Sequence, residues 1–157
     1  MRQLLIVVLA ACSAAASADR ATDPMAGHEW RHRVLLVYAS DEDSDALARF
    51  RERVRARQCG IEDRDLVIGE VVGTAGGRLG TRELTAADNR ALRRRHEPGR
   101  GDVTTVLVGK DGGVKMRVSG VAELDAVFRR IDGMPMRRSE MKRRGRPDCA
   151  PGRPDPR

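Results

Sequence analysis

Seven consecutive residues, Arg33-Val34-Leu35-Leu36-Val37-Tyr38-Ala39, constrain the fold more than any other part of this chain. From Val34 onward the run has none of the polar alternation of a strand with one wet face. It therefore reads as a strand buried on both sides. Such a strand needs neighbours at both edges and cover above and below, which a layered α/β domain supplies. The run is far short of the roughly 20 apolar residues that span a bilayer.

The segments around it fit that demand. Asp45–Gln58 carries Leu47, Phe50 and Val54 at helical spacing, with acidic residues at its start and Gly60 just past its end, matching the helix dipole and a glycine C-cap. Asp65–Val72 is a second apolar strand, so the three segments predict a parallel, right-handed βαβ unit. Gly73–Gly80 reads as a glycine-rich loop. Ala86–Arg95 is a further helix, with Thr85 as N-cap and Pro98-Gly99 closing it. Val103–Gly109 is a third apolar run, and Lys110-Asp111-Gly112-Gly113 is a hairpin turn. Beyond it Val114, Met116 and Val118 alternate with Lys115 and Arg117, predicting one buried and one wet face. Val121–Asp132 forms a last core helix, and Pro135 opens a basic helix ending near Gly145. The order β-α-β-α-β-β-α is that of a thioredoxin-like α/β fold: a single mixed sheet covered by helices.

Charge is unevenly placed. The chain has 30 Lys+Arg and 23 Asp+Glu, a formal charge of +7. Residues 19–136 are nearly neutral, with 21 basic and 20 acidic side chains, whereas residues 137–157 hold 8 basic and 3 acidic ones. Basicity is thus a tail property. With four aromatics in all (Trp30, Tyr38, Phe50 and Phe128), the chain lacks the stacking platform of a single-stranded nucleic-acid binder. Arg144-Gly145-Arg146-Pro147 matches the core of an AT-hook, but Asp148 follows where further basic residues belong. Nucleic acid is therefore not the expected partner.

Met1-Arg2, the apolar stretch Leu4–Ala11 and Ala16-Ser17-Ala18 have the three-part layout of a secretory signal. The expected organisation is a signal peptide over 1–18, a flexible leader over 19–29, the folded domain with its basic helix over 30–146, and a Pro/Arg tail without fixed structure over 147–157. Leu9-Ala10-Ala11-Cys12 also resembles a lipoprotein box, although the segment before Cys12 is short for one. Ordinary cleavage leaves Cys59 and Cys149. Export permits a disulfide between them, and two separate thiols are the alternative.

Redox chemistry in this fold class uses a cysteine at the start of the first helix, where dipole and cations lower the thiol pKa. Here that stretch is Ser40-Asp41-Glu42-Asp43-Ser44-Asp45, so thiol catalysis is not expected. Asp41, Asp43, Asp45 and Glu52 stand at calcium-loop spacing, but Ala46 occupies the required glycine position. The glycines of 73–80 match neither dinucleotide nor P-loop spacing. Met134, Met136 and Met141 are soft donors in principle, yet methionines beside a core helix are more often packing residues. No metal, cofactor or catalytic residue is expected from these patterns.

Four segments together carry a family resemblance: Trp30–Tyr38, Asp63–Val67, Val106–Lys115 and Ile131–Arg138. They resemble the bacterial branch of the DUDES domains, a thioredoxin- or peroxiredoxin-like family of unknown function with relatives in secreted sushi-repeat and matrix-associated proteins. The resemblance implies export and the same fold, and implies no reaction. If the family shares a site, Arg64, Lys110, Asp111, Lys115, Asp132 and Arg137 are the candidates. Fold-stabilising ion pairs and turns are the competing account of those charges. The leading functional expectation is a non-catalytic, exported domain that binds an envelope protein or an anionic surface. An enzyme working through a non-thiol site is the alternative, and DNA binding through the tail a distant third.

Overall fold

The computed structural model describes residues 23–41, 45–99 and 101–144. The signal segment at 1–18 and the tail at 147–157 lie outside the described residues, as does Asp43 of the acidic stretch.

Among the described residues the chain is a mixed α/β protein with one six-stranded sheet and five helices. In chain order these are β1 (Arg33–Ala39), α1 (Asp45–Ala56), α2 (Gln58–Asp63), β2 (Leu66–Val72), β3 (Gly76–Leu79) and β4 (Arg82–Glu83). There follow α3 (Ala86–His96), β5 (Val103–Val108), β6 (Val114–Ser119), α4 (Leu124–Asp132) and α5 (Pro135–Arg144). The sheet order is β4-β3-β2-β1-β5-β6. β1 runs parallel to β2, and every other neighbouring pair is antiparallel.

β1 is central, and all seven of its residues are buried. Period-two alternation divides its side chains between two layers. Leu35, Val37 and Ala39 face the larger layer, with Leu47 and Phe50 of α1 and Val127, Phe128 and Ile131 of α4. Val34, Leu36 and Tyr38 face the other, with Met25, Leu84 and Leu92. α3 starts with a capping box in which the Thr85 hydroxyl accepts from the Asp88 amide and the Asp88 carboxylate accepts from the Thr85 amide.

Four sequence expectations need correction or refinement. The helix expected over 45–58 stops at Ala56, and a separate short helix, α2, carries Cys59. The glycine-rich stretch 73–80 is not simply a loop, because Gly76–Leu79 forms β3 and pairs with β2. Gly77 sits there at φ +129°, where a Cβ would lie 2.1 Å from the Glu70 carbonyl oxygen. Glycine is thus what permits that pairing, and it also hid the strand from an apolar-pattern reading. β6 does not bury one face as its alternation suggests, since Val114 and Val118 are exposed on this edge strand while Met116 packs on the core. The described part of the leader packs on the domain, with Met25 1% exposed and Asp23 and Glu29 both paired to Arg95.

The second layer also buries a titratable pair. The Tyr38 hydroxyl donates to the Leu92 carbonyl at 3.1 Å and lies 2.9 Å from His96 Nδ1. Burial foremost, then the Arg95 charge, lowers the His96 pKa, and burial likewise raises that of Tyr38. The native state therefore refuses a proton that an unfolded histidine accepts near pH ~6.5. Stability should accordingly fall as pH drops below that value and level off once the folded-state pKa is passed. Urea midpoints measured between neutral and mildly acid pH should show this slope, and His96→Gln should flatten it. His28, whose pKa is also lowered by burial, should retain a share.

Candidate functional site

The sequence candidates converge on one end of the sheet, where β1 and β2 begin and β5 ends. Two chains of charge run through it. In the first, Arg33 is 1% exposed although it opens an apolar strand. It donates to the Arg64 carbonyl at 2.8 Å and to both Glu140 carboxylate oxygens at 3.1 and 3.2 Å. Lys110 Nζ reaches the same Glu140 at 2.8 Å and Asp65 at 2.7 Å, and Arg144 forks onto Asp65 from the surface. In the second, Arg64 donates to Asp132 at 2.6 Å and to the Gly60 carbonyl at 2.9 Å. Its guanidinium lies 4.4 Å from the Phe128 ring centre. Arg137 bridges Asp132 and Asp63.

Removing charge from water is costly unless each group is paired and hydrogen-bonded. Here four buried cations, Arg33, Arg64, Lys110 and Arg137, face the carboxylates Asp63, Asp65, Asp132 and Glu140. Burial on its own would raise the pKa of Glu140, but hydrogen bonds and charge from Lys110 and Arg33 outweigh it and hold the carboxyl below its usual range. Asp65 behaves alike under Lys110 and Arg144. Asp65 also adopts φ +45°, a left-handed turn that aspartate tolerates better than most residues, and its carbonyl accepts from the Arg33 amide at 2.8 Å.

Asp111 and Lys115 form a separate pair on the β5–β6 turn, 2.5 Å apart, and the lysine hydrogen bond foremost lowers the Asp111 pKa. Gly109 leaves room for this fold-back, because a Cβ there would meet Lys115 Cε at 2.5 Å. The turn forms one wall of a cleft of about 550 Å³. Arg129 and Arg130 near the end of α4, with Gly133–Met136 at the α4–α5 junction, form the other wall, and Arg33 lines it as well. The volume falls within the ~300–1,000 Å³ of small-molecule sites.

A family profile matches residues 24–140, described as a domain of unknown function, DUF4174. The chain belongs to the DUF4174 family. The matched stretch of the DUF4174 domain takes in all eight charges above, with Glu140 as its last residue. No curated protein and no solved structure matches the chain.

Of the six sequence candidates, Arg64, Asp132 and Arg137 thus sit in one buried chain of ion pairs, Lys110 in its neighbour, and Asp111 with Lys115 at the cleft. Sequence reasoning missed Arg33, Asp63, Asp65 and Glu140 within the network, and Arg129 and Arg130 at the cleft. The available signal was a charged residue opening an otherwise apolar strand. Cys59 lies on α2 and is disulfide-bonded. Among the described residues no group of three or more His, Cys, Asp or Glu side chains is gathered to hold a metal.

Glu140→Gln should cost about 3–5 kcal/mol of unfolding free energy, because it leaves two buried cations short of a counter-charge. Replacing Arg33, Lys110 and Glu140 together with Met, Met and Leu should cost far less. Urea denaturation of the two variants against the parent checks both. A near-neutral Glu140→Gln would mean that the network does not depend on this carboxylate.

Proposed function

We propose that this DUF4174 domain is an exported, non-catalytic binding module of the cell envelope, with the cleft between the β5–β6 turn and the α4–α5 junction as its recognition site. The observation that carries the reading is the pairing of an open, partly apolar cleft with a rigid ionic floor. Arg33 and Lys110 are held by Glu140 beneath it. Preorganised side chains lose little freedom when a ligand arrives, which favours recognition.

Three further points support the proposal. The order β6-β5-β1-β2, with one parallel pair, fits a thioredoxin-like core extended by the β3–β4 hairpin. The four segments that resemble the DUDES domains fall on β1, the start of β2, the β5–β6 turn and the α4–α5 junction, so the resemblance concentrates where the cleft is. A disulfide at Cys59 suits an oxidising compartment, in line with the signal-like N-terminus.

The acidic stretch after β1 supplies no cysteine at the position where this fold class does thiol chemistry. Two measurements test the reading together. Mass spectrometry of the protein recovered from the envelope should find Asp19 as the N-terminus, with Cys59 joined to another cysteine. Peroxidase and disulfide-exchange assays should give no turnover above that of a Cys59→Ser variant. Cysteine-dependent turnover, or retention of the protein in the cytoplasm with its first 18 residues intact, would refute the proposal.

A further inference from the structure

The cleft has a chemical asymmetry that narrows what it can hold. Its inner surface at the α4–α5 junction is apolar, with Met134, Pro135 and a 40% exposed Met136. Its rim is cationic, and the cations differ in how far their charge is already used. Lys115 is neutralised by Asp111, and Lys110 by Asp65 and Glu140. Arg129 has no ion-pair partner among the described residues, and Arg130 donates only to the Lys115 carbonyl, at 3.1 Å. Both side chains are exposed and line the cleft.

Two further features of the lining leave Arg129 and Arg130 as the charges a ligand must meet. Arg33 in the cleft wall is 1% exposed, and its buried Nε has no hydrogen-bond partner. The ten-residue α5 begins at Pro135, on the cleft, where its positive end meets the negative end of α4 at Gly133, so the two helix dipoles offset there. Among the described residues, Asp111, already paired, is the one carboxylate that lines the cleft.

We infer that the cleft binds an anionic amphiphile: a compact oxyanion, carboxylate or phosphate monoester, set between Arg129 and Arg130, with its hydrocarbon chain against Met134, Pro135 and Met136. The inference rests on the binding-module reading and specifies its ligand. A purely polar anion leaves the apolar wall at the α4–α5 junction uncovered, and a neutral chain leaves the two guanidiniums unpaired, so affinity requires both parts in one molecule. A cationic amphiphile is repelled at the rim.

Trp30 provides a reporter. It is the chain's one tryptophan, it is 69% exposed, and its amide donates to the Lys110 carbonyl at 2.6 Å, beside the cleft. The intact protein is titrated, by calorimetry and by Trp30 fluorescence, with decanoate, decyl phosphate, inorganic phosphate, decanol and decyltrimethylammonium, all below their micelle concentrations. Decanoate, decyl phosphate or both should bind saturably, and the tighter of the two identifies the headgroup. Phosphate alone, decanol and the cationic probe should each bind at least about tenfold more weakly, since the first lacks the chain and the other two lack the negative charge.

The double variant Arg129→Gln/Arg130→Gln changes exposed side chains and should keep the parent's unfolding midpoint. It should lose about tenfold or more of the anionic affinity while leaving the weak decanol response unchanged. Met134→Gln should weaken the decyl probes and leave inorganic phosphate unaffected. Equal affinity for decanoate and decanol, an undiminished affinity in the double variant, or binding to anionic phospholipid vesicles without binding to either monomeric probe would overturn the inference. Those results leave the export and turnover measurements as they stand, so failure of the ligand class and failure of the binding-module reading are told apart.

Discussion

One carboxylate ties the ends of this fold together. Glu140, near the middle of α5, faces Arg33 at the start of the central strand and Lys110 at the end of β5. The last helix is held mainly by charge, through Glu140, Arg137 and Arg144, because its own sequence is strongly polar and buries only Arg137 and Glu140. α5 is thus fastened by charge where α4 is fastened by an apolar face of Leu124, Val127, Phe128 and Ile131. A helix docked in this way has a fixed rotation, since ion pairs are directional and apolar packing is not. The α4–α5 junction, and with it one wall of the cleft, inherits that fixed geometry.

The same arrangement separates two roles among the charged residues. Arg33, Arg64, Lys110 and Arg137 spend their charge inward on acidic partners, so they shape the site more than they advertise it. Arg129, Arg130 and Lys115 stand at the opening, where a ligand arrives. This separates the protein from a generic basic surface. Its rim charges are few and adjacent, and they lie next to apolar side chains.

How much of this was legible in the sequence varied with the kind of interaction. The continuous apolar run gave away β1, since burial on both faces leaves that signature, and Thr85 as an N-cap gave away the start of α3. β3 stayed hidden because Gly76 and Gly77 contribute a backbone to pair and no side chains to read. β6 misled for a related reason: alternation signals two faces, but an edge strand has cover for neither unless a helix reaches it. Lys110, Asp132, Arg64 and Arg137 came to attention through family resemblance, while Arg33 and Glu140 did not, because charged residues are read as surface until their partners are known. Those partners lie 107 positions apart, beyond any local pattern. Arg129 and Arg130 have no signature at all in sequence, since their significance comes from the turn that faces them.

The placement of β1 also sets an order of events in time. It is the first strand of the sheet, yet one of its two neighbours, β5, begins at Val103, and the counter-charge for its first residue is Glu140. A chain emerging from its N-terminus can form the β1–β2 unit early, but it must then wait with one edge of its most apolar strand unpaired and with Arg33 uncompensated. The sheet is therefore completed only with β5 and β6, and its base is neutralised only with the last described helix. Folding of this domain is in that sense decided at its C-terminal end, and a truncation there should be felt first by the strand at its beginning.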